Sequence, residues 1–249
     1  MSVINQAAKK SRTDVRKLTT MSMLAAIGVV LMLVCKFPIF PAASFLKYDP
    51  ADVPILIGTL VYGPGAGLIL TLVVSFMDSF VLSGSGGPIG FVMHVAATGA
   101  MVLLTGIIYK KGAVMGKKAA SVVGSIAALA LMAGINLVLS VTVPADNTAY
   151  LFIAFMGSNM IVLAACILYQ RCSAENRFAA ISLLMGSLVM VVVMVGMNLV
   201  LTPIYMGTPV EVVKGMLVPI IIPFNVLKAG LNSVAAFMVF RYVEKLAVR

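Results

Sequence analysis

The sequence predicts an all-α integral membrane protein, one helical bundle of about eight helices with both termini cytoplasmic. Three observations predict it. The 249 residues are 61% hydrophobic and only 10% charged, against about 25% charged in soluble domains. Apolar runs recur along the chain at lengths suited to a hydrocarbon layer of about 30 Å. The positive residues cluster beside those runs, as expected of cytoplasmic segments. The net charge of +10 is therefore accounted for by the membrane, and nucleic acid is not an expected partner. Residues 1–249 read as a single transmembrane domain set in the lipid bilayer.

The segment 1–17 is basic and cytoplasmic, with Lys9, Lys10, Arg12, Arg16 and Lys17. The apolar run after it, about Leu18–Val34, has no convincing cleavage site and reads as a retained first span. Within it Ser22 and Ala26 have the small-xxx-small spacing that lets another helix approach closely. From Cys35 to Pro50 the chain carries Pro38 and Pro41, which break any helix, among Phe37, Phe40, Phe45 and Tyr48. This stretch is too apolar for a solvated loop. It reads as a lid folded back on the bundle, the alternative being an interfacial aromatic belt.

Asp52 can cap the next helix, with Pro54 tolerated in its first turn. That helix ends near Tyr62-Gly63-Pro64. Its roughly ten residues give about 15 Å, too short to cross, so it leans into the bundle. The span about Ala66–Leu82 carries Asp78 near its outer end. The glycine-rich turn Ser83–Pro88 lacks the lysine and hydroxyl residue of a phosphate-binding loop. The span about Ile89–Tyr109 holds His94, the only histidine. A single histidine makes no metal site, and it reads as a pocket or packing residue. Cys35, Cys166 and Cys172 have no metal-ligand spacing, and their odd number argues against a disulfide framework.

An internal repeat follows. Gly134-Ile135-Asn136-Leu137-Val138-Leu139-Ser140 returns as Gly196-Met197-Asn198-Leu199-Val200-Leu201-Thr202, an offset of 62 that also aligns Gly124-Ser125 with Gly186-Ser187. Residues 119–171 thus read as an extra hairpin resembling 178–242. The first copy has no counterpart of Asn225 and Lys228.

Those two residues are the sharpest functional signal. They lie in the apolar run Met216–Phe240, where a charge costs roughly 2.5–3.5 kcal/mol and ordinarily faces a cavity or partner. Three residues apart, they share one helix face. An amide that donates and accepts stands beside a cation that only donates. Such a pair suits a flat, neutral ligand with alternating carbonyl and N–H groups. The alternative is that Lys228 snorkels and Asn225 bonds a neighbouring helix. With a basic N-terminus inside, the lid, the glycine turn and the outer halves of the spans carrying Asn198 and Asn225 converge on the outer side.

The stretches Phe37-Pro38-Ile39-Phe40-Pro41, Phe45-Leu46-Lys47-Tyr48-Asp49, Asp52-Val53-Pro54, Gly86-Gly87-Pro88-Ile89-Gly90, Asn198 with Pro203-Ile204-Tyr205, and Pro223-Phe224-Asn225-Val226-Leu227-Lys228 carry a resemblance. In them the chain resembles the substrate-binding S components of energy-coupling-factor vitamin transporters, most closely the riboflavin-specific ones. The resemblance implies a six-helix core, to which the repeated hairpin is extra, and an outward pocket. It implies flavin recognition by Asn198, Asn225 and Lys228, and a lid containing Phe45, Leu46, Lys47, Tyr48 and Asp49 that closes over the ligand. It implies a membrane coupling subunit and two cytosolic ATPase subunits as partners, docked where Ser22 and Ala26 lie. The chain has no Walker motif of its own, and no cofactor is expected beyond riboflavin as the transported ligand. The sequence departs from the family at Phe91 and His94, where an acidic residue and an asparagine are often found. The family's contacts to the ligand's polar tail are therefore not carried over, although His94 stays a candidate.

Two other functions compete. One is binding of another vitamin-sized ligand. The second is ion- or proton-coupled secondary transport using Asp78 and Lys228. An enzyme is not expected, for there are neither paired carboxylates nor a nucleophile–base set nor metal-ligand spacing.

Overall fold

The structure, a computed structural model, describes residues 2–39, 43–82, 86–112 and 174–247, together with positions 122, 126 and 156. The extra hairpin at 119–171 lies outside the described residues except for those three positions, and so does the expected count of eight helices. Among the described residues five helices are long and apolar enough to cross a membrane. A sixth, shorter apolar helix lies between them.

Helix α1 runs Ser2–Val34. It starts earlier than the predicted span, because the basic segment carries good helix formers such as Ala, Lys, Arg and Gln. Among the described residues it packs mainly against the two helices that follow and the end of the second. Much of its apolar surface stays exposed, including Leu18, Met23, Ile27, Val30 and Leu33. In a membrane protein such a face suits lipid or a partner helix.

After α1 comes the strap, residues 35–50. A two-residue antiparallel ribbon closes it, pairing Phe37 with Tyr48 and Pro38 with Lys47. The rings of Phe37 and Tyr48 lie 5.5 Å apart. Ala43 and Leu46 are buried against Val213, Ile221 and Phe224. The strap is therefore folded back on the bundle, as the lid reading expects, and is not a free interfacial belt.

Helix α2, Asp52–Tyr62, is buried from Asp52 to Leu60. This is the short helix predicted from Asp52 and Tyr62-Gly63-Pro64. It ends because Gly63 adopts φ +89°, a conformation open to glycine. Helix α3, Pro64–Phe76, starts on a proline at its first position, where no N–H is missed. A π-helical turn, Met77–Val81, ends it and carries Asp78.

Helix α4, Gly87–Gly112, packs along most of α5, Ala174–Met206. Gly186 permits the closeness: a Cβ there would lie 2.9 Å from the carbonyl oxygen of Met101. Helix α5 continues through Pro203 to Met206, since a proline so near a helix end removes only one backbone bond. A short α6, Val210–Met216, leads into a second π turn, Leu217–Ile221, and then α7, Ile222–Ala247. Pro219 lies in that turn and has no N–H for the regular helical bond. The main core joins α1 to α5 and α7 through residues such as Met32, Leu56, Leu70, Val74, Met101 and Leu183.

Candidate functional site

Under the strap lies a cavity of about 130 Å³. Four walls enclose it. Phe45, Leu46, Lys47 and Asp49 come from the strap, and Phe224, Asn225 and Lys228 from the start of α7. Helix α5 presents Met190, Met194, Asn198 and Thr202, four residues apart and hence on one face. Helix α4 contributes Met93, His94 and Ala97, with Asp78 from the π turn beside them. Every binding residue named from the sequence therefore lines this cavity except Tyr48. The methionines give an adaptable apolar wall.

Lys228 does not snorkel. It is buried, and its Nζ donates to Asp49 Oδ2 at 2.8 Å. An ammonium has three N–H groups, so this ion pair leaves others for the cavity. Asn225 Nδ2 donates to the carbonyl of Ile221 at 2.8 Å. Its Oδ1 is buried without a hydrogen-bond partner among the described residues. A buried acceptor left unmade costs about 1–3 kcal/mol. Asn225 thus lines the cavity and carries a buried acceptor that lacks a donor among the described residues. Asn198 is more occupied: Nδ2 donates to Met194 O at 2.7 Å, and Oδ1 accepts from Thr202 Oγ1 at 2.9 Å.

Below the cavity the strap is tied to α7 through Asn232. Its Nδ2 donates to the carbonyl of Asp49 and to Asp52 Oδ2, each at 3.1 Å. Its Oδ1 accepts from the Tyr48 hydroxyl at 3.0 Å. Burial, and secondarily the charge of Asp49, push the Tyr48 hydroxyl above its ordinary pKa, so it stays protonated as that donor. Tyr48 latches, Lys47 is exposed at the cavity edge, and Asp49 both latches and lines the cavity.

Asp52 is not a helix cap. Ala51 holds the cap position without a side-chain bond, and Asp52 is the first helical residue. Its carboxylate, fully buried, accepts from Thr98 Oγ1 at 3.0 Å and lies 3.4 Å from His94 Nε2. Ser75 Oγ holds the other ring nitrogen of His94 at 2.6 Å. A buried carboxylate so surrounded has exchanged water for fixed donors. Asp49 Oδ1, rather than Asp52, takes the backbone N–H of Ala51 at 3.3 Å.

Sequence reasoning missed Asn232, Asp52, Ser75 and Thr98 as parts of this network. Asn232 carried a usable signal, since it follows Lys228 by four residues on the same helix face. Asp52 was disguised by its position just before a proline-bearing first turn. Asp78, which the secondary-transport alternative coupled to Lys228, accepts instead from Lys36 Nζ at 2.6 Å. Phe91 packs its ring edge-on against Phe80, 5.5 Å away, and is not among the cavity's lining residues. Ser22 and Ala26 are exposed on α1.

A helical membrane bundle with an internal cavity, a closing strap, and fixed polar groups in an apolar lining is a binding protein for a small molecule. The family follows from comparison. Residues 16–156 match the family described as ECF transporter, substrate-specific component, and the chain belongs to it. It is accordingly a transporter component and an integral membrane protein, not an enzyme. It is 35% identical over 128 residues to riboflavin transporter FmnP of Bacillus subtilis (strain 168), covering 50% of this chain and 66% of that protein. It is 36% identical over 107 residues to riboflavin transporter RibU of Staphylococcus aureus (strain TCH60), covering 43% of this chain and 55% of that one. The chain thus spans between about half and two thirds of these curated relatives. A solved S component of a bacterial ECF transporter superposes with a TM-score of 0.58 at 23% identity, over 95% of this chain and 99% of that one, which establishes the shared fold.

Proposed function

We propose that this chain is the substrate-binding subunit of an ATP-driven importer, and that it captures riboflavin or a close flavin in a pocket open to the outside. The observation that carries the reading is the unpartnered Oδ1 of Asn225, buried in the cavity wall beside Lys228. The pyrimidine edge of an isoalloxazine ring alternates two carbonyls with one N–H. The N–H answers the orphan acceptor, and a carbonyl answers the ammonium. Apolar surface for the rest of the ring comes from Phe45, Phe224, Met93, Met190 and Met194. Two of the curated relatives are named riboflavin transporters, which supports the same ligand.

The cavity is smaller than the roughly 300–1,000 Å³ of ordinary small-molecule pockets. A tricyclic ring therefore enters by displacing part of the lining, the strap above all. Energy for uptake comes from a membrane coupling subunit and two cytosolic ATPases, with the exposed Ser22 and Ala26 on α1 as the docking stripe. The repeated hairpin at 119–171 is structural, and of the two copies only 178–242 supplies ligand contacts.

The test is the absorption spectrum of the purified protein, followed by flavin fluorescence titration and cellular uptake. Copurified flavin, saturable riboflavin binding, and uptake that persists with an uncoupler while ATP is maintained are expected. A colourless protein that binds no flavin would overturn the ligand. Uptake that collapses with the uncoupler would overturn the energy source.

A further inference from the structure

A second cavity, of about 390 Å³, lies at the end of the bundle away from the strap. It is larger than the one under the strap and falls within the roughly 300–1,000 Å³ of ordinary small-molecule pockets. The proposed uptake makes no use of it. A mismatch in helix length creates it. Helices α2 and α3 turn back at Gly63 and Pro64, and the turn meets α4 at Gly106, where a Cβ would lie 2.7 Å from Pro64 Cβ. From there α4 runs on to Gly112, about 9 Å further at 1.5 Å per residue. The space beyond the turn is walled by Tyr62, Tyr109 and Lys110, and by Phe178 of α5, which is seated against Gly112.

The lining is apolar on one side and basic on the other. Val61 lines the cavity and is 45% exposed, and in a bundle set in a bilayer an exposed valine meets hydrocarbon. Lys110 lines it as well and is exposed. Along α4, Leu103, Ile107 and Lys110 follow one another at helical spacing, so two exposed aliphatic side chains lead along one face to the lysine. Lys110 and Lys111 mark this end as the cytoplasmic one by the positive-inside rule. Among the described residues Lys110 has no carboxylate partner, and no carboxylate lines the cavity. Tyr62 is half-buried in the wall, and its hydroxyl has no hydrogen-bond partner among the described residues. Tyr109 beside it is held by Phe240, ring edge to ring face at 5.8 Å.

We propose that this inner cavity binds an anionic phospholipid of the cytoplasmic leaflet. Its headgroup phosphate accepts from the Lys110 ammonium and the Tyr62 hydroxyl, and an acyl chain follows Ile107 and Leu103. A free phosphate answers the lysine but leaves the aliphatic track uncovered. A zwitterionic lipid covers the track but brings a positive group to a basic end. The bound lipid fills the space beyond the α2–α3 turn and ties that turn to α4, so it stabilises the folded bundle by mass action. The proposal is independent of which ligand the outer cavity takes.

The experiment compares thermal melts and native mass spectra of the delipidated full-length protein in detergent, supplemented with phosphatidylglycerol, phosphatidylcholine or soluble glycerol 3-phosphate. Phosphatidylglycerol should raise the melting temperature and be retained as a single bound molecule, and the other two should do neither. Lys110→Gln should weaken phosphatidylglycerol binding about fivefold, the size expected of one lysine at a membrane surface. Tyr62→Phe, which keeps the ring, should weaken it as well. Lys111→Gln, next along the helix but outside the lining, should change it by less than about twofold. Both lysines are exposed, so these two variants should melt like wild type in detergent alone. Phosphatidylcholine retained as well as phosphatidylglycerol overturns the headgroup assignment. Glycerol 3-phosphate acting as strongly as the lipid gives the site to a free phosphate and overturns the lipid. Equal losses in Lys110→Gln and Lys111→Gln mean a diffuse attraction to the basic end and overturn the cavity. Phosphatidylglycerol without effect overturns the whole proposal, and loss of the copurifying coupling subunit in Lys110→Gln would then give the cavity to that partner.

Discussion

Lys228 and Asp49, 179 residues apart in sequence, form a buried ion pair of 2.8 Å that joins the end of the strap to α7. The same lysine lines the cavity. One side chain is therefore shared between holding the strap and facing the ligand. Breaking a buried pair from one side leaves a bare charge and costs about 3–5 kcal/mol, while replacing both partners by apolar groups is often neutral.

Lys228→Ala should weaken flavin binding by at least about tenfold while the protein still inserts in the membrane. Its thermal stability in detergent should fall by an amount of that ion-pair order. The double variant Asp49→Leu/Lys228→Met should recover most of the stability lost by either single change, but not the binding. Thermal melts and titrations of the four proteins check this. Flavin affinity unchanged in Lys228→Ala would remove the lysine from the site.

Asn232 separates strap anchoring from ligand contact, because it holds Tyr48, Asp49 and Asp52 and is absent from the cavity lining. Asn232→Ala leaves those groups underbonded, so a loss of about 1–3 kcal/mol in stability is expected. Dissociation of flavin should speed up more than association slows, since the missing bonds belong to the closed state. Stopped-flow traces that show only slower association would place Asn232 on the entry path instead.

What the sequence revealed follows the physics of each signal. An apolar run interrupted by Asn225 and Lys228 is conspicuous because charge in hydrocarbon needs a reason. The short α2 was legible from its proline and glycine ends, since those residues fix backbone geometry locally. The Asp52 network was not legible. Its members Ser75, His94, Thr98 and Asn232 come from α3, α4 and α7, and only tertiary packing brings them to one carboxylate. The course of α5 through Pro203 was likewise not legible, because a single lost backbone bond near a helix end is a small cost.

The two copies of the repeat give an internal control. Asn198 lines the cavity beside Asn225 and Lys228, whereas Asn136 belongs to the copy without such companions. Asn198→Ala removes an amide that also accepts from Thr202. It should reduce flavin affinity by about tenfold, and Asn136→Ala by less than about twofold, in the same titration. Equal damage from both would mean that the first copy reaches the pocket and that the division of roles is wrong.

Docking on α1 predicts a variant that binds but does not transport. Ser22 and Ala26 are exposed, and the Ser22 hydroxyl is turned back to the carbonyl of Leu18 at 3.0 Å, leaving a smooth small-residue surface. Ser22→Leu/Ala26→Leu adds bulk where a partner helix needs close approach. Riboflavin affinity of the purified protein should be unchanged while cellular uptake falls at least about tenfold, and copurification of the coupling subunit should be lost. Normal uptake would mean that the partner docks elsewhere.

The strap itself gives the last prediction. Its apolar side chains have a covered home: Leu46 and Ala43 are buried against Val213, Ile221 and Phe224, and Phe45 and Tyr48 pack at their edge. Exposure of that surface is unfavourable, so the closed state is preferred even without ligand, and a bound ring adds contacts only in that state. Phe45 touches the cavity and Tyr48 bonds Asn232, so the pair samples both functions of the strap. Replacing both by serine removes closed-state contacts without altering Asn225 or Lys228. Flavin release should therefore accelerate about tenfold or more, with capture slowed much less, because the strap acts after encounter. Tryptic cleavage within residues 37–50 should be faster in the double variant, and riboflavin should protect wild type better than it protects the variant. A dissociation rate equal to that of wild type would mean that the strap is only a structural cover, and that the ligand is held entirely by α4, α5 and α7.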